Sequence, residues 1–367
     1  MARRRSRTPR THPGTQPATR PRPRRRTRTL VGLTAGALAV SGLFAFGTAN
    51  AGTPSGADGA AVAAQQKPGP RVGASEVPAH AVTGYWQNFD NGATVQKLAD
   101  VQDEYDIVAV AFADATGSPG QVDFTVDPAL DYTDEQFKED VAAKQAAGKS
   151  VIISVGGEKG AVSVSDDASA DAFATSIIGL MDEYGFDGVD IDLENGLNST
   201  YMTKALEAIH AAKSDVVVTM APQTVDMQSP ENEYFKTALN IKSFLTVVNM
   251  QYYNSGSMNG CDGQVYSSGT VDFLTALACT QIKGGLDPSQ VGIGTPASAQ
   301  AAGSGYVEPG VVNDALDCLA KGEKCGSFTP DEKWPGIRGA MTWSTAWDAS
   351  NGNKWSSTVG PHVHGLP

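Results

Sequence analysis

From about residue 80 onward, short runs rich in β-branched and aliphatic residues alternate with segments whose apolar residues have helical spacing. Runs of this length and composition are typical of β-strands. Eight strands are predicted: Ala81–Trp86, Ile107–Ala113, Ser150–Gly156, Gly188–Glu194, Val216–Ala221, Thr246–Tyr253, Val291–Thr295 and Arg338–Trp343.

Helix signals lie between these runs. Thr133 and Gln136 have the spacing of a capping box, which predicts a helix that begins there and ends at Gly148. A second amphipathic helix is predicted to end at Gly185. Apolar stripes at helical spacing mark these elements: Phe173, Ile177, Leu180, Met181 and Tyr184 in the second helix, Met202, Leu206 and Ile209 in a third, and Phe273, Leu274 and Leu277 in a fourth.

Eight strands that alternate with helices predict an α/β protein with a (β/α)8 barrel. The main alternative is a doubly wound open sheet, which would place a glycine-rich phosphate turn after the first strand. The residues at that point, Tyr85-Trp86-Gln87-Asn88, do not form such a turn. In a barrel the active site lies at the C-terminal ends of the strands. The polar residues at those ends are therefore the candidates for a functional site.

The fourth predicted strand carries three acids, Asp190, Asp192 and Glu194, in alternation with aliphatic residues. Successive side chains of a strand point to opposite faces, so the three carboxyl groups share one face. Like charges at that spacing are unfavourable unless protons are shared, which indicates acid–base chemistry. A calcium site is the alternative, but calcium loops place Gly and Asn between their ligands. Asp187 precedes the strand, and we expect it to serve in a turn or cap.

The first 51 residues contain 11 of the 28 Lys and Arg residues and no Asp or Glu. An apolar run from Leu30 to about Phe46 and then Ala49-Asn50-Ala51 follow the basic region, which is the pattern of a secretory signal that is removed. A membrane anchor is the alternative. Arg25-Arg26 leaves both the general and the twin-arginine export routes open. Residues 52–79, rich in Gly, Ala, Pro and Gln, are predicted to be a flexible linker before one domain at 80–367.

Without residues 1–51 the chain has 17 basic and 40 acidic residues, a net charge of −23. This charge argues against nucleic acid and anionic membranes as partners. We expect a soluble extracellular monomer.

Four cysteines remain, and in an exported chain an even number favours two disulfides. Three pairings are possible, and the local pairs Cys261–Cys279 and Cys318–Cys325 are favoured because each closes a short loop. No His lies near them at zinc spacing, and neither a metal nor a cofactor is expected.

Asp187-x-x-Asp190-x-Asp192-x-Glu194 resembles the D-x-x-D-x-D-x-E signature of glycoside hydrolase family 18, the chitinases and related endo-β-N-acetylglucosaminidases. Three further segments resemble motifs of that family in the same order along the chain: Ser154-Val155-Gly156-Gly157, Met250-Gln251-Tyr252-Tyr253-Asn254 and Gly339-Ala340-Met341-Thr342-Trp343-Ser344. Tyr85-Trp86-Gln87-Asn88 and Ala221-Pro222-Gln223 are similar to the single-barrel branch of plant and bacterial members. The resemblance covers about residues 80–367.

The resemblance implies a retaining, substrate-assisted mechanism in which the N-acetyl oxygen of the sugar forms an oxazolinium ion. Glu194 would act as the general acid and then as the general base. Asp192 would hold the acetamido N–H, and Asp190 would share a proton with Asp192. Tyr253 would donate its hydroxyl to the acetamido carbonyl. Because the three carboxyl groups interact, their apparent pKa values belong to the three together and not to single residues.

Trp343 is expected to form the apolar floor under the sugar, although a core position is the alternative for this residue. The remaining candidates for substrate contact are Gln251, Met250, Asn254, Tyr85 and Gln223. The small residues Ser154, Gly156 and Gly157 are expected to make room for the acids of the neighbouring strand.

The implied substrate is chitin or its N-acetylglucosamine oligosaccharides. Many family members insert a small domain after the seventh strand, but here residues 295–310 form only a short loop, which predicts an open groove and endo-type action. Two alternatives remain: an endo-β-N-acetylglucosaminidase that acts on N-glycans, and a lectin on an inactive barrel. A lectin of this family usually lacks the acid, whereas Glu194 is present.

Overall fold

The computed structural model describes residues 77–367. The predicted signal segment and residues 52–76 of the predicted linker lie outside the described residues. The last residues of that linker contact the rest of the chain, since the Arg338 guanidinium donates to the carbonyl of Pro78 at 2.7 Å.

Eight parallel strands form a closed barrel, as the hydrophobic pattern predicts. The strands are β1 (Ala81–Gln87), β2 (Ile107–Ala115), β3 (Ser150–Gly157), β4 (Gly188–Leu193), β5 (Val217–Met220), β6 (Val247–Gln251), β7 (Val291–Pro296) and β8 (Gly339–Trp343). Each strand pairs with its neighbours in chain order, and β1 pairs with both β2 and β8, which closes the ring. The (β/α)8 barrel is thereby confirmed, and each predicted strand boundary lies within two residues of the observed one.

Within residues 77–367, eight α-helices surround the barrel: α1 (Asp134–Ala146), α2 (Asp167–Tyr184), α3 (Ser199–Ala212), α4 (Glu233–Asn240), α5 (Val271–Lys283), α6 (Pro309–Lys321), α7 (Thr345–Ser350) and α8 (Lys354–His364). The capping box of α1 is present, with the Gln136 backbone N–H donating to the Thr133 hydroxyl at 3.3 Å. The predicted end at Gly148 is confirmed: this glycine follows the cap residue Ala147 with a φ of 83°, and its N–H donates to the carbonyl of Gln145 at 2.9 Å. The predicted end of α2 is confirmed, since Gly185 caps it with a φ of 79°.

The apolar pattern of the sequence does not predict α4, α6, α7 or α8. Nor does it predict a two-stranded hairpin, Ser257–Asn259 with Val265–Ser267, or a short strand, Val122–Asp123, antiparallel to β2. No helix in the described part of the chain is both long enough and apolar enough to cross a membrane.

The barrel interior is apolar near the N-terminal ends of the strands and polar near their C-terminal ends. Ile107, Ile152, Val217 and Val247 pack together in the lower interior. The alternate residues of the same strands point outward and form the main core with the helices. The polar residues of the strands are therefore left at the C-terminal mouth of the barrel.

Both local disulfides are present, which confirms the favoured pairing. Cys261–Cys279, with a Cα–Cα distance of 5.7 Å, connects the hairpin to α5. Cys318–Cys325, with a Cα–Cα distance of 4.8 Å, connects α6 to the loop that follows it. Each bond fixes a loop to an adjacent helix.

Candidate active site

The three acids of the fourth strand lie at the barrel mouth. Asp190 and Asp192 point inward from β4, as the period of a strand requires. Glu194 follows the strand, which ends at Leu193 and not at Glu194 as predicted. Because Glu194 lies beyond the end of the strand, it is more exposed than the two aspartates, both of which are buried.

Asp190 is the deepest of the three carboxylates and has three hydroxyl donors. The hydroxyls of Tyr85 and Ser154 each donate to Oδ2 at 2.7 Å, and that of Thr219 donates to Oδ1 at 2.6 Å. Burial raises the pKa of the Asp190 carboxyl, and the three hydrogen bonds act in the opposite direction. These donors come from β1, β3 and β5, so the carboxylate is held by side chains from three other strands.

Asp192 accepts fewer hydrogen bonds than Asp190, and neighbouring charges make its carboxyl group harder to ionise. Burial raises the pKa of its carboxyl well above the ordinary value of 3.8, and the charges of Asp190 and Glu194 raise it further. One amide N–H of Gln251 donates to Oδ1 at 2.8 Å and opposes this rise. The arrangement favours a proton on this carboxyl group, and its titration is shared with Asp190.

Two glutamine side chains hold Glu194. The Gln251 amide donates to Oε1 at 3.2 Å, and the Gln223 amide approaches Oε2 at 3.4 Å. Gln251 also donates to the backbone carbonyl of Ala221 at 3.0 Å, so one amide group fixes Asp192, Glu194 and the end of β5 relative to each other. The structure thus places Gln223 and Gln251, both predicted as substrate contacts, directly against the acids.

Asp226 is a fourth carboxyl group in this region, and no sequence motif marks it. Its Oδ2 accepts the backbone N–H of Gln223 at 3.2 Å, in a short 3-10 turn after β5. Burial raises the pKa of Asp226, the hydrogen bond from Gln223 lowers it, and the charge of Glu194 raises it. Asp226 thereby fixes the turn from which Gln223 reaches Glu194.

Tyr253 lies beside the acids, and its hydroxyl is available to a ligand. Burial raises the pKa of this phenol, as do the charges of Asp192, Glu194 and Asp190, so it stays protonated. Among residues 77–367 no hydrogen-bond partner is recorded for its hydroxyl. The neighbouring Tyr252 points the other way and accepts a bond from the Gln281 amide of α5 at 3.1 Å. Tyr253 can therefore donate to a bound ligand.

An aromatic cluster covers the side of the mouth formed by β8, β1 and β2. Trp343 stacks on Phe112, with ring centroids 5.8 Å apart, and lies 6.3 Å from Phe89 and 5.7 Å from Tyr85. Trp343, Phe112 and Phe89 are all partly exposed. Such a surface offers an apolar face to a sugar ring.

Two predicted substrate contacts are wrong. Met250 is fully buried and points outward into the core between strands and helices, because its neighbour Gln251 points inward and a strand alternates. Tyr85 is 2% exposed, and its hydroxyl contacts Asp190, so it supports the acids and does not line the groove.

Asn254 has a structural role in addition to any role in binding. Its Oδ1 accepts the backbone N–H groups of Gly303 and Ser304 at 2.8 and 3.1 Å. The residue therefore connects the loops after β6 and β7, and substrate contact through its Nδ2 stays a prediction.

The small residues of β3 fit against β4. In the parallel register Ser154 lies opposite Asp190, and Gly156 lies opposite Asp192. Gly156 has a φ of 124°, and a Cβ atom there would lie 2.1 Å from the backbone oxygen of Asp192. A side chain at this position would displace the strand that carries the acids.

Replacing Gly156 by Ala is therefore expected to lower the free energy of unfolding by about 3 kcal/mol, since the backbone overlap adds to the strain of a positive φ. Gly179→Ala is the matched control, because Gly179 lies inside α2 and a Cβ there meets nothing within 4 Å. That change is expected to stabilise the protein by about 0.5–1 kcal/mol. Urea unfolding of both variants measures the difference, and equal stabilities would contradict the packing argument.

The sequence is similar to a known family over most of the barrel. The sequence model of the family Glycosyl hydrolases family 18 matches residues 81–359. Chitinase Chi52 of Paenibacillus xylanexedens is 35% identical over 323 residues, which cover 77% of this chain and 61% of that protein. Chitinase D of Niallia circulans is 36% identical over 323 residues, with the same two shares. The chain thus spans about three fifths of the length of these two relatives.

Solved structures share the barrel. A protein of Streptomyces coelicolor assigned as Chitinase A is 69% identical, with a TM-score of 0.78 over 78% of this chain and 99% of that chain. A family GH18 chitinase of Chromobacterium violaceum is 32% identical, with a TM-score of 0.73 over 78% of this chain and 84% of that chain. Both similarities extend over the part of the chain that carries the acids.

Proposed function

This chain belongs to glycosyl hydrolases family 18, and on that premise we propose that it is a chitinase that hydrolyses β-1,4 bonds between N-acetylglucosamine units. The observation that carries the proposal is the line of Asp190, Asp192 and Glu194 across from a partly exposed Trp343.

In the first step Glu194 donates its proton to the oxygen of the leaving sugar as the C1–O bond breaks. The carbonyl oxygen of the substrate's own N-acetyl group attacks C1 and forms an oxazolinium ion. Asp192 accepts a hydrogen bond from the acetamido N–H, and the Tyr253 hydroxyl donates to the acetamido oxygen. Because Asp192 lies in a buried site, its interaction with the developing positive charge is stronger than it would be in water.

In the second step the Glu194 carboxylate removes a proton from water as the water oxygen bonds to C1 and the oxazolinium ring opens. Two inversions at C1 give a product with retained configuration. The amide groups of Gln251 and Gln223 keep the carboxylate in place between the steps. Asp190, which has three hydroxyl donors, balances the charge of Asp192 by exchanging a proton with it.

We also propose endo-type action, export from the cell and a monomeric state. The loop from 297 to 308, between β7 and α6, contains no helix or strand, so no inserted domain closes the groove on that side. The two disulfides support an oxidising destination. The basic and apolar segment before residue 52 supports a removed signal.

Product analysis tests the proposal. Hydrolysis of N-acetylglucosamine tetramers and hexamers is expected to release short oligomers whose new reducing ends are initially β-anomeric by proton NMR. An initially α-anomeric product would contradict retention. Activity on an N-glycoprotein and not on chitin oligomers would favour the N-glycan alternative, and binding without turnover would favour a lectin.

Replacing Tyr253 by Phe is expected to lower kcat by about 10- to 100-fold, with little change in KM, because the lost hydrogen bond strengthens in the transition state. Tyr252→Phe is the matched control. It removes a hydroxyl that accepts from Gln281 in the core, so it is expected to cost about 1 kcal/mol of stability and no activity. Steady-state kinetics on an N-acetylglucosamine tetramer distinguish the two variants. An unchanged kcat in Tyr253→Phe would show that the Tyr253 hydroxyl has no role in the reaction.

A further inference from the structure

Glu194 lies on a short loop between β4 and α3. β4 ends at Leu193 and α3 begins at Ser199, so residues 194–198 join the two elements. We call this segment the acid loop. Glu194 is partly exposed, and its carboxylate accepts two long hydrogen bonds from glutamine amides, at 3.2 and 3.4 Å. The direction of its side chain therefore depends on how the backbone of the acid loop is held.

The first two residues of α4 hold the two ends of the acid loop. The hydroxyl of Tyr234 donates to the backbone carbonyl of Leu193 at 3.1 Å, where the loop leaves β4. The carboxylate of Glu233 accepts the backbone N–H of Ser199 at 2.6 Å, where the loop enters α3. One helix thereby connects both ends of the loop to the same turn of backbone.

Tyr234 is a rigid donor. The residue is 4% exposed, and its ring packs in the main core between the barrel and the helices. Burial raises the pKa of its phenol well above 10.0, and the charges of Asp192, Asp190 and Asp226 raise it further, so the hydroxyl stays protonated. Because the core fixes the ring, the hydroxyl fixes the position of the carbonyl that accepts from it.

The carbonyl that Tyr234 holds belongs to the peptide group that joins Leu193 to Glu194. A peptide group is planar, so a rotation of this carbonyl also turns the bond between N and Cα of Glu194. The side-chain carboxyl group lies several bonds beyond that point and moves with it. A displacement of about 1 Å at a reacting group can lower a rate by about 10²-fold.

The outer side of the acid loop is less firmly held. Residues 195–198 border a cavity of about 310 Å³ whose opposite wall is formed by residues 162–165. The amide of Asn195 donates to the carbonyl of Gly160 at 3.1 Å, but this contact is exposed to water. The hydrogen bond from Tyr234 is buried, where it is electrostatically stronger. The constraint on the start of the loop therefore comes mainly from α4.

We propose that Tyr234 is a positioning residue that sets the orientation of Glu194 for proton transfer. The proposal rests on the proposed chitinase activity and adds a residue that acts without touching the substrate. Loss of the Tyr234 hydroxyl impairs the steps in which Glu194 transfers a proton. Attack by the N-acetyl oxygen, which depends on Asp192 and Tyr253, is left intact.

Tyr234→Phe tests the proposal on two substrates that differ in their need for an acid. An N-acetylglucosamine tetramer releases a sugar hydroxyl, which needs the proton of Glu194. The 2,4-dinitrophenyl glycoside of the disaccharide releases a phenolate that is stable without a proton. In Tyr234→Phe, kcat/KM for the tetramer is expected to fall about tenfold, and kcat/KM for the dinitrophenyl glycoside is expected to stay within about twofold of the wild type.

Tyr184→Phe is the matched control. The Tyr184 hydroxyl also donates to a backbone carbonyl, that of Phe124 at 3.0 Å, in the core where α1 and α2 pack together. Both variants are expected to unfold about 2–4 °C below the wild type, since each loses a hydrogen bond of the same kind. Tyr184→Phe is expected to keep the wild-type kcat/KM on both substrates.

The other end of the acid loop provides a second pair of variants. Glu233→Ala removes the acceptor of the Ser199 N–H and is expected to lower kcat/KM for the tetramer by about three- to fivefold, without a change for the dinitrophenyl glycoside. Glu233→Gln keeps an oxygen that can accept this N–H. It is expected to restore the tetramer rate to within about twofold of the wild type.

The two proposals fail in different ways. Glu194→Gln is expected to lower the ratio of the tetramer to the dinitrophenyl kcat/KM at least as much as Tyr234→Phe does. If the wild type hydrolyses neither substrate, the proposed function is wrong. If the wild type hydrolyses both and the ratio falls in Glu194→Gln but not in Tyr234→Phe, then Tyr234 does not position Glu194, and the proposed function stands.

Discussion

Replacing Glu194 by Gln is expected to lower kcat on N-acetylglucosamine oligomers by about 10²- to 10⁴-fold, the usual loss when a general acid is removed. The amide keeps the size of the side chain but carries no transferable proton in the first step and no basic oxygen in the second. Its Oε1 can still accept from Gln251, which keeps the shorter of the two hydrogen bonds that hold the side chain, whereas its Nε2 cannot accept from Gln223. Substrate affinity, measured by calorimetry, is expected to stay within a few-fold of the wild type.

Glu207→Gln is the matched control for this prediction. Glu207 lies on the exposed face of α3, and the substitution removes the same charge without touching the barrel mouth. We expect wild-type kinetics from it. If Glu194→Gln retained more than about a tenth of the wild-type kcat, the proton would have to come from another group, and Asp226 would be the first to examine.

The acids and the barrel could be predicted from the sequence because both depend on the period of a strand. Alternation places Asp190 and Asp192 on the inner face whatever the exact ends of β4 are. The same rule shows why Met250 is wrong as a substrate contact: adjacent residues of one strand cannot both face the axis, and Gln251 does.

Other parts of the site depend on local irregularities that the sequence pattern does not reveal. The register between β2 and β3 shifts between Ala111 and Ala113, so Phe112 turns into the mouth, where strict alternation would not place it. Phe89 lies in a loop and joins the cluster only through tertiary packing. Asp226 lies in a 3-10 turn outside any motif, and its proximity to Glu194 is a property of the closed barrel.

Asp192→Asn is expected to lower the activity of the protein and to raise its thermal stability. The variant loses the negative charge that faces the developing cation, so kcat is expected to fall by about 10²- to 10³-fold. At neutral pH it is also expected to unfold at a higher temperature than the wild type, because a buried carboxylate next to Asp190 and Glu194 is costly to ionise. The asparagine Oδ1 can still accept from Gln251, so the Gln251 amide keeps this partner.

The difference in stability between the wild type and Asp192→Asn is expected to depend on pH. The folded protein raises the pKa of Asp192 well above 3.8, so it holds a proton that the unfolded chain releases. The stability of the wild type therefore falls as the pH rises from about 3.8 through the raised folded value, whereas the asparagine of the Asp192→Asn variant has no proton to lose. Thermal unfolding across pH is expected to show the two proteins closest in acid and farthest apart near neutrality. Asp215→Asn, at an exposed position, controls for loss of surface charge. An Asp192→Asn variant that is less stable than the wild type at every pH would mean that Asp192 has a structural role and not an electrostatic one.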